Sequence, residues 1–408
     1  MTTTIGEAVE HTIGGGWGSE TPSEAGDVAV RIIRGADFPA AELRNVSSMP
    51  IRYEPAMKVA KRTLQAGDIV LETSGGTKDR PTGRTVLVTE SMMTDSSEPL
   101  IPASFCRLIR IDTERANPAF VYHALQDLYA RGGTWEFQNS STGISNFQFD
   151  LFQRSYRLPD FTLNEQQAMA EVLGALDDKI AANTALAATA EQLLRSEIDS
   201  AWLTGHDRSS VLSDFVDLNP RIGMPLAETA IYVDMKRLPE SGWSIDGFDY
   251  REPKGGARFQ NGDTLLARIT PCLENRKTGF VDHLPAGEIG VGSTEFIVMR
   301  AREGVASPIS FLLATAPRFR DHAIQHMAGT SGRQRVAATD LGAFELPTPG
   351  LAWLRAFGAR AEAVFSLVRS QSAENRTLAA TRSALLPQLM SGKLRVRDAE
   401  KLLAAASA

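Results

Sequence analysis

The chain has 408 residues, 43% of them hydrophobic and 23% charged, with a net charge of −6 at neutral pH. That length allows two to four domains with well-buried cores, and the balance is that of an ordinary soluble globular protein. The acidic net charge gives no support to nucleic-acid binding as a whole-chain property, so any such surface is sought in local basic clusters.

No apolar run approaches the roughly 20 residues that a membrane-spanning helix needs. The opening MTTTIGEAVE has neither a basic start nor an apolar core, so no signal peptide is expected. The two cysteines, Cys106 and Cys272, lie far apart without a CxxC pair. That suits a reducing cytoplasm and argues against a zinc cluster.

In chain order, residues 1–160 are rich in Gly, Pro, Val, Ile and Thr, with short apolar runs such as GDIVLETSGG. Such a segment predicts a mixed α/β domain with strands and long loops. A long helix is predicted next, over 161–206. Thr162 and Glu165 form a T-x-x-E capping box before it. Leu173, Leu176, Ile180, Asn183, Ala187, Ala190 and Leu194 then alternate by three and four, which is a heptad seam. The helix is expected to reach about Trp202 and stop at Gly205, a span of roughly 60 Å.

Residues 207–347 repeat the composition of the first segment, and FQNGDTLLA echoes the earlier LQAGDIVLE. A second long helix is predicted over 348–408, with Thr348 as cap and Pro349 in the first turn. Its seam runs through Leu354, Phe357, Ala361, Val364, Val368, Gln371, Asn375 and Leu378. Pro387 should kink or end it, with Gly392 as a stop. The first helix carries NTALAATAEQLL from Asn183, and the second carries NRTLAATRSALL from Asn375. The plan is domain, helix, domain, helix: a duplicated unit whose helices pair, with a buried Asn to pin register.

Catalytic patterns fail on context. Pro159-Asp160 followed by Asp177-Asp178-Lys179 imitates a nuclease motif, but Asp177 and Lys179 fall inside the strongest helix rather than on a strand and turn. HAIQH at His322–His326 has zinc-helix spacing without the Glu that serves as general base. NPRI at Asn219–Ile222 lacks the second Pro and the aromatic of an adenine-methyltransferase loop. SGGTKD at Ser74–Asp79 lacks the spacing of a phosphate-binding loop. The chain reads as non-catalytic.

Three windows oppose the acidic whole, each with a balance of +3: Lys58–Arg84, Arg251–Lys277 and Arg318–Arg335. They are mixed with Gly, Ser, Thr, Asn and Gln, as in GTSGRQRV at Gly329–Val336. Lys and Arg grip phosphates, Arg pairs with guanine, and Asn or Gln reads adenine. The predicted DNA-binding residues of the first half are Lys58, Lys61, Arg62, Lys78, Arg80 and Arg84, with Ser141, Thr142 and Asn146. Those of the second half are Arg251, Lys254, Arg268, Arg276, Lys277, Arg333, Gln334 and Arg335.

The stretch GISNFQFDLFQRSYRLPDFTLNEQQAMAEVLGALDDKIAANTAL, with its LP, EQQ and LDDKI elements, resembles the specificity subunit of type I restriction–modification systems. So do ALLPQLMSGKLRV, IRGADF and GTSGRQRV, in that family's order and over essentially the whole chain. The resemblance implies an α+β chain of two target-recognition domains, each reading half of a split DNA sequence. It implies two long helices packed antiparallel as a coiled coil between them, with pseudo-twofold symmetry. It also implies partners: two adenine-methyltransferase subunits and a translocating restriction subunit. S-adenosylmethionine and ATP belong to those partners, with no cofactor in this chain. The second helix departs from the pattern, since it keeps Leu346-Pro347 but lacks the EQQ and LDDKI elements. The rival expectation is a coiled-coil scaffold that carries two ligand-binding domains and no DNA.

Overall fold

The structure, a computed structural model, describes residues 3–23, 27–77, 79–141, 144–204, 209–245, 247–330, 332–347 and 350–399. The expected stops and caps Gly205, Thr348 and Pro349 lie outside these residues, as do Lys78 and Thr142. The fold is mixed α/β with long helices. The chain divides into two units, residues 1–184 with 374–408, and residues 185–373. Among the described residues no helix is long and apolar enough to cross a membrane.

In the first unit a four-stranded antiparallel sheet runs in the order Val9–Gly14, Cys106–Ile111, Ile69–Glu72, Thr85–Leu87. Ile69–Glu72 is buried on both faces, which is why it reads as an unbroken apolar run rather than an alternating one. Beside it lies a three-stranded sheet in which Asp27–Ile33 pairs antiparallel with Ile51–Pro55 and parallel with Leu100–Pro102. Helix Pro118–Ala130 is started by Asn117, whose side chain accepts the Phe120 N–H at 2.9 Å, and by Pro118 in its first turn. Its Phe120 packs with Phe152 and with Leu173, Leu176, Leu385 and Leu389 of the two long helices.

The second unit repeats the sheet plan. Val216–Leu218, Phe296–Ala301, Thr264–Ala267 and Thr278–Phe280 form an antiparallel sheet. A second sheet pairs Ala230–Val233 antiparallel with Asp249–Arg251 and parallel with Gly290–Gly292. Ala257–Phe259 closes its other edge against Gly290–Gly292. Phe311, Phe319 and Phe357 pack with Leu194 and Ile198 in the core of this unit.

The Gly-Asp echo has a physical meaning. Gly67 and Gly262 both sit at φ +90°, a conformation that penalises any side chain. The carboxylates that follow, Asp68 and Asp263, are 1% and 0% exposed. Each accepts the N–H three residues earlier, from Gln65 at 2.7 Å and from Gln260 at 2.8 Å. Each is also gripped two-pronged by an arginine from the neighbouring strand. Arg110 reaches Asp68 at 2.8 and 2.7 Å, and Arg300 reaches Asp263 at 2.7 and 2.6 Å. A buried carboxylate needs such full satisfaction, so both turns demand the same residue set.

The first long helix runs Leu163–Thr204, 42 residues, two beyond the expected Trp202. Its capping box forms as expected, with Thr162 N–H to Glu165 at 2.9 Å and Glu165 N–H to Thr162 Oγ1 at 3.3 Å. The second runs Leu351–Met390, 40 residues. It passes through Pro387 instead of ending there. Proline removes one helical hydrogen bond, and the burial of Leu385, Leu386, Leu389 and Met390 in the first unit's core offsets that loss. The stop is Gly392, at φ +70° with its N–H on the Leu389 carbonyl at 3.0 Å.

The two helices run antiparallel within each unit. In the first unit Asp177 pairs with Arg382, and Asn183 meets Asn375. In the second, Glu197 pairs with Arg360. Of the seam residues, Leu173, Leu176, Asn183, Leu194, Phe357 and Val368 are buried. Ile180, Val364, Asn375 and Leu378 are half-buried, and Phe365 rather than Val364 fills the second unit's core and stacks on Trp243 at 3.9 Å.

Two outcomes are expected. Asp68→Ala and Asp263→Ala each strand a largely desolvated arginine and open a turn, so each should lower unfolding free energy by about 3 kcal/mol in urea titration. His123 is buried in the first unit with no partner for Nδ1 among the described residues, and burial, then Arg382 and Arg44, pushes its pKa down to about 3. Its neutral form is favoured when folded, so stability falls as pH drops below the unfolded value of about 6.5, by about 3 kcal/mol at pH 4. His123→Leu should flatten that part of the stability–pH curve.

Candidate nucleic-acid interface

In the second unit the candidate site is built where two loops meet. One leaves strand Thr264–Ala267 and carries Arg268, Arg276 and Lys277. The other is the turn from Ala328 to Val336. Backbone bonds lock them: Val336 N–H to Arg268 O at 3.0 Å, and Thr270 N–H to Gln334 O at 3.1 Å. Bridges join Arg335 to both Ile269 and Ala328. The structure therefore brings Arg268, Arg333, Gln334 and Arg335 together from two separate basic windows.

These arginines do different jobs. Arg335 donates Nε and Nη2 to Glu295 at 2.9 and 2.7 Å, and Nη1 to the Arg333 carbonyl at 3.2 Å. Hydrogen bonding to Arg335 holds the Glu295 carboxyl below its usual range. Arg335 is thus committed to the loop itself. The Arg333 side chain is exposed and has no hydrogen-bond or ion-pair partner among the described residues. Arg268, whose Nε lacks a partner among the described residues, lines a cleft of about 280 Å³ with Asn219, Arg258 and Thr294. Gly256 forms part of that cleft at φ +93°, where a Cβ would lie 2.1 Å from the Gly292 carbonyl oxygen.

The remaining candidates of this unit are placed elsewhere. Arg276 borders a second cleft with Arg195 and Arg320. Burial, then Arg276 and Arg195, pushes the Arg320 pKa down to about 10. Lys277 donates to the Leu238 carbonyl at 3.3 Å. Arg251 lies 4.0 Å over the Tyr232 ring and pairs with Asp249, while Lys254 pairs with Glu252 on the surface.

The first unit shows the same construction with other side chains. Strand Ser74–Gly76 pairs with Ile144–Phe147, which pairs with Gln138–Ser141. Ser74 Oγ donates to Asn146 Oδ1 at 2.5 Å, and Arg80 donates to the Gly75 carbonyl at 2.5 Å. Ser141 enters through its backbone at the hairpin. Arg84 is turned inward, gripping Glu72 at 2.9 and 2.5 Å. Glu72 is 3% exposed and also takes Arg80 at 3.4 Å. Lys58, Lys61 and Arg62 sit on a different element, helix Ala56–Arg62. Lys58 and Lys61 are exposed, and Arg62 pairs with Glu54 at 3.3 Å.

Sequence reasoning counted Arg258 and Arg320 in its basic windows without choosing them as contacts, and it missed Glu295 and Phe105. The signal for the last two was available: SFCRLIR at Ser104–Arg110 and TEFIVMR at Thr294–Arg300 end in the same strand arginine, which sets Phe105 against Glu295. Of the catalytic look-alikes, Asp177 lies within the first long helix and pairs with Arg382 of the second, and His322 Nε2 lies 3.1 Å from the Asp340 carbonyl. Among the described residues no group of three His, Cys, Asp or Glu could hold a metal ion.

No family model matches the chain. Over 133 residues it is 31% identical to the specificity subunit of type I restriction enzyme EcoAI from Escherichia coli, covering 31% of this chain and 22% of the relative. Over 156 residues it is 30% identical to the EcoEI specificity subunit from the same organism, covering 36% of this chain and 25% of the relative. The matched stretch thus spans about a quarter of these relatives' length or less. The fold is similar to that of the S subunit of a type I restriction–modification system from M. genitalium, with a TM-score of 0.59, 13% identity and 95% of both chains covered. The resemblance read from the sequence is borne out by these relatives.

Amide exchange separates the two arginines of the second loop. Arg335→Ala should speed exchange at Ala328 and Arg335, whose N–H groups hydrogen-bond across the turn, while Arg333→Ala should leave both unchanged.

Proposed function

We infer that this chain, a relative of type I restriction enzyme specificity subunits, is itself the DNA-reading subunit of such a system. In this reading residues 1–160 and 207–347 are duplicated recognition domains, and each reads one half of a bipartite target. The long helices over 161–206 and 348–408 form a coiled-coil spacer that sets the gap between the half-sites. Their outer faces dock two adenine-methyltransferase subunits, and a restriction subunit joins for cleavage. The chain contributes no catalysis, and S-adenosylmethionine and ATP are bound by the partners, in the cytoplasm.

The observation that supports this most is the construction common to both units, a loop after a buried strand locked to a second turn. Polar and aromatic side chains line it in one unit and arginines in the other. In the second unit, Arg333, Gln334 and Arg268 are proposed to touch base edges, with Arg335 positioning them. Arg251, Lys254, Arg276 and Lys277 are proposed to take phosphates. In the first, Arg80 and Asn146 with Ser141 and Thr142 are proposed as base readers. Lys58, Lys61 and Lys78 are proposed phosphate contacts, while Arg62 and Arg84, expected from the sequence to be contacts as well, brace the helix and loop through Glu54 and Glu72. Phosphate contacts supply affinity and orientation, and base contacts supply sequence.

The test is co-purification with an adenine methyltransferase, followed by mapping of methylated adenines. A single bipartite motif is the expected result. Affinity that does not fall steeply with salt would favour the scaffold alternative. Arg333→Ala should weaken or relax one half-site only, by about tenfold at the affected base pair. Inserting one heptad into both long helices should lengthen the gap in the methylated motif.

A further inference from the structure

Phe105 is the large apolar side chain that the fold leaves most conspicuously uncovered beside the first unit's hairpin. It is 64% exposed, in the tight turn between strands Leu100–Pro102 and Cys106–Ile111. The turn is closed by Cys106 N–H on the Ala103 carbonyl at 2.8 Å. The Phe105 carbonyl accepts Thr73 N–H at 2.8 Å and Ser74 N–H at 3.3 Å. Ser74 in turn bonds Asn146, and Phe147 N–H reaches the Thr73 carbonyl at 2.8 Å. Phe105 is therefore fastened by its own backbone to the loop that presents Ser74, Arg80 and Asn146. Among the described exposed large hydrophobics, it is the one whose carbonyl accepts the Thr73 and Ser74 N–H groups; Trp17, Ile51 and Met57 belong to other elements, and Trp135, 42% exposed, lies on helix Gly133–Phe137, which leads into strand Gln138–Ser141.

The second unit has the same backbone with a different side chain. There the turn is closed by Phe296 N–H on Ser293 O at 3.2 Å, and Arg268 N–H donates to Glu295 O at 3.0 Å. Glu295 thus stands where Phe105 stands, and Arg335, bridged to Ile269, stands where Asn146 stands beside Ser74. In the second unit the two positions neutralise each other as an ion pair. In the first they are an amide and an uncovered ring. A phenyl ring on a turn held by its own backbone has neither donor nor acceptor, so at a base edge it can match only an apolar group. Among base edges in the major groove, the one apolar feature is the C5-methyl of thymine.

We propose that Phe105 is a specificity-determining residue of the first recognition domain, in apolar contact with a thymine methyl group in that domain's half-site. This rests on the DNA-reading function inferred above. Glu295, in the same place, excludes such a contact in the second domain, so the exchange of one turn residue changes what each half reads.

The test uses the complex of the full chain with its adenine-methyltransferase subunits and a duplex carrying the mapped motif. Each thymine of the motif is replaced in turn by deoxyuridine, which removes the methyl and nothing else. With Phe105, one replacement, confined to one half-site, should weaken binding about fourfold, the worth of roughly one buried methyl. Phe105→Ala should bind the unmodified duplex more weakly and be indifferent to that replacement, while Phe105→Leu keeps the sensitivity. Equal sensitivity in the parent and Phe105→Ala, or no sensitive thymine, overturns the assignment while leaving DNA reading intact. Equal binding of the motif and a scrambled duplex by the parent overturns both. Because the ring is exposed, unchanged circular dichroism and melting are expected for both variants.

Discussion

Two amide side chains set the register of the helix pair in the first unit. Asn183 Nδ2 donates to Asn375 Oδ1 at 2.9 Å and to Glu374 at 2.8 Å, and Asn375 Nδ2 donates to Thr184 at 3.2 Å. Asn183 is 4% exposed. An amide buried there without its partner costs about 1–3 kcal/mol, so sliding one helix past the other is penalised in either direction. Each Asn opens its copy of the repeated segment, and the two stand 192 residues apart. Repeated segments on antiparallel helices can bring like residues face to face, as in a two-fold contact within one chain.

Within each unit, one face of each helix meets the core. In the first unit Leu173 and Leu176 of one helix and Leu385 and Leu389 of the other fall on the core side. In the second, Leu194 and Ile198 do so with Phe357, Ala361 and Phe365. The cation on Arg382 meets Asp177, and that on Arg360 meets Glu197. The exposed Glu197–Arg360 pair adds direction more than stability, since screening by solvent and salt leaves it little net worth.

Each unit is braced by a buried carboxylate and two-pronged arginine, Asp68 with Arg110 and Asp263 with Arg300. These turns hold the start of the strands from which the loops of the candidate site leave. The scaffold is therefore the same chemistry in both units, and the loops are where they differ. An acidic chain with basic loops follows from this arrangement. Many of its arginines neutralise carboxylates inside the protein, and a minority, such as Arg333, keep their charge for solvent or a ligand.

Local chemistry was legible in the amino-acid order. The capping box at Thr162, the three–four seam, the Gly-Asp turns and the Gly392 stop depend on residues within a few positions of one another, so spacing alone determined them. Burial was not legible, because it depends on segments far apart in the chain. Only the tertiary structure decided that Pro387 stays helical, since its penalty is local and its compensation comes from the first unit's core. Likewise Arg335 looked no different from Arg333 until Glu295 arrived beside it. Charge can be counted along a sequence, but which charges remain free is settled by what folds against them.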